Sequence, residues 1–440
     1  MRFFADFHLH SKYSRATSPD MDLEHLDKWA RIKGIKVLGT GDFTHPLWLK
    51  ELKSKLEEAE PGLFRLRRQN KLAQNNGWHP PQDSNKENGE DLRYLLTSEI
   101  SCIYSKNNRT RKVHMMIFAP SFEVVDKINA HLGWIGNLKA DGRPILGLDA
   151  RDLLKIALDA SPEVLVVPAH AWTPHFSVFG SESGFDSLEE CFNSLTKYIY
   201  VIETGLSSDP AMNWRLSALD NITLISNSDS HSPHRIGREA NIFEGKVVGY
   251  KALMEALRLG KKAPVSIANR LVETIEFFPE EGKYHYDGHR NCQVVLAPEE
   301  TKKHKNICPK CGRPLTVGVL NRVMKLADRP EGFVLEKAAP FRQLIPLEEI
   351  IAETFDMGVG TKTVEQEYQD LINRFGSEFK ILLETEISEI AAGNAQIGEA
   401  VKRVREGKVK IEPGYDGEYG KIKIFEKSER DNFSRQKALF

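Results

Sequence analysis

Five residues after the start, the chain reads Asp6-Phe7-His8-Leu9-His10. Strand-like alternation puts Asp6, His8 and His10 on one face and Phe7 and Leu9 on the other. Two imidazoles spaced this way at a strand end can reach one ion, and neutral imidazole is a common zinc ligand. Other groups of the same chemistry recur in the same setting: Asp42 in GDFTH, Glu99 in LTSEIS, His114 in VHMMIFAP, His170 in VVPAHAW, and Asp229 with His231 in SNSDSHS. Each lies at or just past a short apolar run. Taken singly, a buried histidine is a hydrogen-bonded core residue, and Asp42 or Glu99 a helix cap or surface carboxylate. Spread over many strand ends, they are what a barrel with its site at the C-terminal face produces.

The elements that must position these groups follow from periodicity. Strand signals fall at 2–7, 36–40, 94–97, 113–118, 164–167, 198–203 and 223–226, with helical patterns at 23–33, 153–159, 188–194 and 250–259. Strands alternating with helices imply a parallel α/β architecture. The stretch 70–91, rich in Asn, Gln, Gly and Pro, reads as an exposed polar loop. At 440 residues, two or three domains are expected. Hydrophobic content of 40% fits a chain with ample core, no apolar run reaches membrane-spanning length, and the N-terminus shows no signal-peptide pattern. Five cysteines, three of them between Cys292 and Cys311, argue against a disulfide framework and for a reducing compartment. A net charge of -1 excludes nothing by itself, because local basic segments can hide in it.

The series D-x-H-x-H, GD, E, H, AH, SDSH resembles the PHP (polymerase and histidinol phosphatase) family over residues 1 to about 270. The resemblance implies a distorted (β/α)7 barrel and a cluster of two or three divalent ions, zinc above all, with Mg or Mn as activators. It makes His8, His10, Asp42, Glu99, His114, His170, Asp229 and His231 the metal ligands, with Asp42, Glu99, His170 and Asp229 catalytic and Glu99 suited to bridging two ions. Many family members have T-D-H where this chain has Gly41-Asp42-Phe43-Thr44-His45. Phe43 therefore occupies the usual histidine place, and His45 is a weaker candidate than Asp42. Such a cluster activates water near neutral pH and takes charge developing on a phosphate oxygen, so phosphoester hydrolysis is the expected reaction.

A second metal site is spelled out by His289-x2-Cys292, fifteen residues, then Cys308-Pro-Lys-Cys311-Gly. Four such ligands close a tetrahedral site with no open position, which makes the zinc structural. His285 is a rival fourth ligand, and buried thiols without metal are the alternative. Residues 280–329 carry ten Lys+Arg against six Asp+Glu, a balance suited to a module near phosphates. Beyond it, helical patterns flank Met357-Gly358-Val-Gly360-Thr-Lys362. This resembles a helix–hairpin–helix element, in which backbone amides at Gly358 and Gly360, with Lys362, hold a DNA phosphate. An ordinary αα-turn with Gly as C-cap is the other reading. Residues 401–440 hold eleven Lys+Arg against seven Asp+Glu and include Pro413-Gly-Tyr-Asp-Gly-Glu-Tyr-Gly420. Tyr415 and Tyr419 there are candidates for stacking on bases, or else pack inward beside tight turns.

Together these parts resemble the endonuclease Q family across nearly the whole chain. Supporting stretches are Pro168-Ala-His-Ala-Trp-Thr-Pro174, Glu203-Thr-Gly-Leu-Ser-Ser-Asp-Pro210 and Met212-Asn-Trp-Arg215. The resemblance implies a prokaryotic, cytoplasmic, nucleoid-associated DNA repair endonuclease. It would cut the phosphodiester 5′ of uracil, hypoxanthine, xanthine or an abasic site, in double- or single-stranded DNA. The expected division is a phosphoesterase domain at 1–275, a zinc-binding module at 280–330, a mainly helical DNA-binding domain at 331–425, and a basic tail at 426–440. The ending Gln436-Lys-Ala-Leu439-Phe440 resembles the start of a sliding-clamp docking peptide. Two alternatives are a PHP-type small-molecule phosphatase and a non-catalytic DNA-binding protein on a decayed barrel. The first has no use for some 170 additional residues. The second would leave buried carboxylates and histidines uncompensated.

Overall fold

The computed structural model describes residues 1–72, 92–246, 249–264, 266–426 and residue 429. The expected polar loop lies outside the described residues from 73 onward, as does the basic tail apart from residues 426 and 429, including its candidate docking peptide at 436–440.

The first strand, Arg2–Asp6, lies between Ile35–Gly39, to which it is parallel, and Ala240–Gly245, to which it is antiparallel. Ile35–Gly39 is followed in parallel by Arg93–Lys106, which pairs antiparallel with Arg109–Ala119, and that strand pairs antiparallel with Leu165–Pro168. Val201–Glu203 and Thr223–Ile225 form a parallel pair. The α/β class matches expectation, but the sheet is mixed rather than parallel. The longest antiparallel pair has a local cause. Asn107 and Asn108 both take positive φ, 54° and 55°, giving the type I′ turn that joins two long antiparallel strands.

Phe7, Val37, Leu95, Phe118, Val167, Val201, Ile225 and Phe243, drawn from all around the sheet, form one buried cluster sealed by the helix Tyr250–Leu259. This is the filled interior of a barrel, and a second, larger apolar cluster lies between strands and outer helices. Side chains carrying chemistry sit just beyond the interior layer.

The other parts dock on this barrel. The hairpin Asp287–His289/Val294–Leu296 begins the cysteine-bearing module, whose helix Val319–Leu326 anchors it. From that helix the buried Arg322 donates to the carbonyls of Phe179 and Phe185, 2.8 Å each. Phe341–Gln343 adds a strand to the barrel sheet beside Asn269–Glu276. Helices Leu347–Phe355, Lys362–Phe375, Glu378–Leu383, Ile387–Gly393 and Ala395–Arg405 form the helical part. The hairpin Lys410–Glu412/Lys421–Lys423 turns back to the cysteine module: Tyr286 N–H donates to Gly414 O (2.9 Å) and Arg290 N–H to Asp416 (2.6 Å). The PGYDGEYG loop therefore lies with that module and not with the helices.

Candidate active site

Three sets of potential ligands converge at the barrel mouth: His8, His10 and Glu99; His10, Asp229 and His231; and Glu99, His114 and His170. Within each set the donor atoms lie within 4.8 Å of one another. His10 and Glu99 each belong to two sets, the arrangement expected where neighbouring ions share ligands. His10 Nε2 is 3.1 Å from Asp229 Oδ1 and 3.3 Å from Glu99 Oε2, and Glu99 Oε1 is 2.8 Å from His114 Nδ1 and 3.1 Å from His170 Nε2. His170 and Asp229 hold positive φ, 30° and 46°, so the turns that present them are strained. Gly205 packs against His170, where an added Cβ would come within 2.5 Å of the histidine Cβ.

Asp42 is placed differently from expectation. One oxygen faces His10 Nδ1 at 3.1 Å, and the other accepts from Ser11 N–H (2.6 Å), Ser11 Oγ (2.7 Å) and Ser14 Oγ (2.9 Å). Asp42 falls in no ligand set among the described residues, and its geometry orients His10 so that Nε2 faces the site. His45 stacks on Tyr13 and joins no ligand set among the described residues. Asp6 also points away from the site, accepting from the backbone of Ser228 (3.1 Å) and Gly237 (2.9 Å), because the strand ends there and alternation fails beyond it.

Glu203 was missed as a functional group. It is fully buried, takes His8 Nδ1 at 3.0 Å on both oxygens, and accepts from His170 N–H (2.7 Å) and Asn227 Nδ2 (2.9 Å). It ends an apolar strand, the setting that marked the other candidates. Arg143, also missed, places Nη1 3.0 Å from Glu99 Oε2 from a loop with no strand signal.

The donors fit divalent cations. Buried His8 Nε2 has no hydrogen-bond partner and lies 3.6 Å from carboxylate oxygens of both Glu99 and Asp229. Burial opposes charging of His8, but Glu203, Glu99 and Asp229 outweigh it and hold the pKa well above the ordinary value. Burial likewise disfavours ionised Glu99 and Asp229, yet the histidines around them, with Arg143 at Glu99, keep both far below the usual carboxylate range. A pocket of ionised carboxylates that draws positive charge onto imidazoles is suited to metal ions, which supply that charge and accept the nitrogen lone pairs. A cavity of about 300 Å³ beside Trp214, Lys261 and Pro340 contains none of these groups.

His289, Cys292, Cys308 and Cys311 converge within the same 4.8 Å limit. His285 is not among them; it is buried elsewhere, with its pKa pushed down to about 4 by that burial. Gly312, at φ 71°, makes the knuckle turn, where Cys308 N–H donates to Arg313 O. Only Val294, Cys308 and Leu315 form the module's own core, with Cys292 and Leu296 packed against it. So small a core needs a further staple.

The turn around Gly358 and Gly360 is open: an added Cβ would meet nothing within 4 Å at Gly360 and only Thr361 Cγ2, at 4.0 Å, at Gly358. Neither glycine has positive φ. The preceding helix is closed by Asp356 at φ 54°, so the glycines are not its C-cap. Lys362 is exposed at the start of the next helix. Tyr415 is half-buried against Gly288, whereas Tyr419 is 68% exposed with Lys283 Nζ 4.4 Å from its ring centre.

Residues 346–408 match the family model of the MJ0043 C-terminal domain. MJ0043 of Methanocaldococcus jannaschii is 34% identical over 58% of this chain, and the match spans 31% of that longer protein. YqxK of Bacillus subtilis is 27% identical over 96% of this chain and 99% of its own length. The crystal structure of the lesion-specific endonuclease PfuEndoQ from Pyrococcus furiosus superposes with a TM-score of 0.82 at 30% identity, covering 97% of this chain and 96% of that one. An endonuclease Q structure with a 27-mer duplex bearing an abasic lesion at its active site gives 0.79 at 30% identity, covering 97% of each chain. Fold and ligand sets define a metal-dependent phosphoesterase on a PHP-type barrel. More narrowly, the chain belongs to the endonuclease Q family and is a metal-dependent endonuclease.

Proposed function

We propose that this protein is a DNA repair endonuclease that cuts the phosphodiester 5′ of deaminated bases (uracil, hypoxanthine, xanthine) and of abasic sites. The observation that carries the reading is the trio of overlapping ligand sets sharing His10 and Glu99. His8, His10, Glu99, His114, His170, Asp229 and His231 would hold two or three divalent ions, with zinc favoured by the imidazole-rich donors. Bound ions supply Lewis acidity at phosphate and a nucleophile at neutral pH. Asp42 and Glu203 fix the histidine rings, and Arg143 puts a guanidinium 3.0 Å from the Glu99 carboxylate at the mouth. His289, Cys292, Cys308 and Cys311 would hold a structural zinc. The bare glycine turn with Lys362 and the exposed Tyr419 offer backbone amides, charge and an aromatic face to DNA.

The test is to incubate metal-loaded protein with duplexes carrying uracil, hypoxanthine or an abasic site, with an unmodified duplex, and with histidinol phosphate. Nicks 5′ of each lesion are expected, with no cutting of the other two. Asp229→Asn keeps the shape but removes charge from the cluster. It should lower nicking by orders of magnitude while DNA binding, measured by fluorescence anisotropy, stays within about threefold. Hydrolysis of histidinol phosphate alone would establish the phosphatase reading instead.

A further inference from the structure

Resting on that reading, we infer that Phe176 is the platform on which the base of the cleaved nucleotide stacks. The loop after His170 carries five large apolar residues, and four of them, Trp172, Val178, Phe179 and Phe185, are fully buried. Phe176 alone is left half-buried. Its ring centre lies 4.8 Å from that of His114, a member of a ligand set, at an interplanar angle of 39°. Lys112 Nζ stands 5.3 Å from the same ring.

The backbone holds Phe176 there against its preference. Its φ is 62°, a region that bulky side chains rarely enter and that His170 and Asp229 of the ligand sets also occupy. The loop is tied to the neighbouring strand on both sides of the residue. Phe176 O accepts from His114 N–H (2.9 Å), Phe176 N–H donates to Ser183 Oγ (3.3 Å), and Ser183 Oγ donates to Lys112 O (3.3 Å). Glycine would relieve the strain, yet a phenylalanine is presented at the mouth. A packing role is filled without strain by the four buried neighbours. What an aromatic ring beside a phosphoesterase site and a lysine ammonium offers is a π-face for a nucleobase, one nucleoside away from the scissile phosphate. Base reading in such a site requires the nucleotide to leave the helix stack, and a stacking partner offsets part of that cost.

The test compares Phe176→Ala, Phe176→Gly and Phe176→Trp on two duplexes that differ only in carrying uracil or an abasic site at one position. Metal content is measured for every variant. Phe176→Ala and Phe176→Gly should lose roughly ten- to a hundredfold in kcat/KM on uracil and more on the purine hypoxanthine. On the abasic duplex, which has no base to stack, they should stay within about twofold of wild type. Phe176→Trp should restore uracil cleavage, and Phe176→Gly should not lower the thermal midpoint below that of Phe176→Ala. Equal loss on uracil and abasic duplexes, or loss of metal in the variants, would show that Phe176 only braces His114 and would overturn the inference. So would unimpaired uracil cleavage. If wild-type protein nicks neither duplex, the DNA reading itself is wrong and the platform falls with it.

Discussion

His8 and His10 are each held by a buried carboxylate at Nδ1, Glu203 and Asp42 respectively, which leaves Nε2 of both rings for an ion. Removing such a partner typically costs ten- to a hundredfold in metal affinity or activity. Glu203→Gln preserves volume and is expected to show a loss of that size, read by metal titration and nicking together. Asp42→Asn should behave the same way, weakening metal without deleting an equivalent. If Asp42→Asn instead removes a whole equivalent of metal, Asp42 is a ligand and its placement here is wrong. Most of the candidate ligands were readable in the sequence because they end or follow an apolar run, although Glu99 and His114 lie inside the strands Arg93–Lys106 and Arg109–Ala119. Glu203 ended such a run too, but a single carboxylate lacks a spacing partner such as H-x-H. The Asp42 role was not readable, since ligand and orienting partner have the same chemistry and differ by a few ångströms.

At the scale of elements, the cysteine module and the hairpin laid on it depend on each other. Metal binding by His289, Cys292, Cys308 and Cys311 is folding free energy for a module with so small a core. Cys308→Ser should lower bound zinc by one equivalent and speed hydrogen exchange across 285–325, with the barrel metals kept. An unchanged zinc count would refute the site. The two tyrosines of the PGYDGEYG loop should now part company. Tyr415→Ala should loosen the module, because that ring packs on Gly288, while Tyr419→Ala should leave the thermal midpoint alone and weaken DNA binding about tenfold. Equal thermal shifts for the two variants would contradict this split. The sequence showed both tyrosines beside glycines and basic residues, but a loop's side-chain directions depend on what it docks against. Here that partner is a hundred or more residues away: Asp416 accepts from Arg290 N–H and from Thr316 Oγ1. The N-N turn at Asn107 was a legible signal for the long hairpin, whereas the antiparallel pairings of Ala240–Gly245 and Leu165–Pro168 join segments distant in sequence and had no local signal.

At the scale of the whole molecule, the helical part has to be held to the barrel if the proposed DNA-facing turn and the candidate metal site are to act on one substrate. The joint is formed by the helix Leu23–Lys33 and the strand Arg2–Asp6 against helices Lys362–Phe375 and Glu378–Leu383. Phe4 stacks on Phe379 at 4.2 Å, and Gly34 leaves room for Ser377, whose Oγ would lie 2.7 Å from an added Cβ. At its centre Lys33 Nζ is 2.7 Å from Glu378 Oε2, with the two residues 2% and 4% exposed. Glu378 also accepts from Tyr368 Oη (2.6 Å) and Leu347 N–H (3.2 Å), so its charge is distributed over both parts of the molecule. Removing one member of a buried pair leaves the other charged and uncompensated, a cost of about 3–5 kcal/mol, whereas replacing both costs little. Lys33→Met should therefore lower the thermal midpoint and accelerate hydrogen exchange across 346–408 before the barrel interior responds. The Lys33→Met/Glu378→Gln double variant should recover most of the loss. In the single variant, lesion nicking should fall through weaker DNA affinity, with metal content unchanged, because no metal-ligand candidate lies in the joint. A single variant as stable as wild type would mean that the ion pair does not hold the joint. A double variant no better than the single would place the stability in the aliphatic stem of Lys33 rather than in its charge.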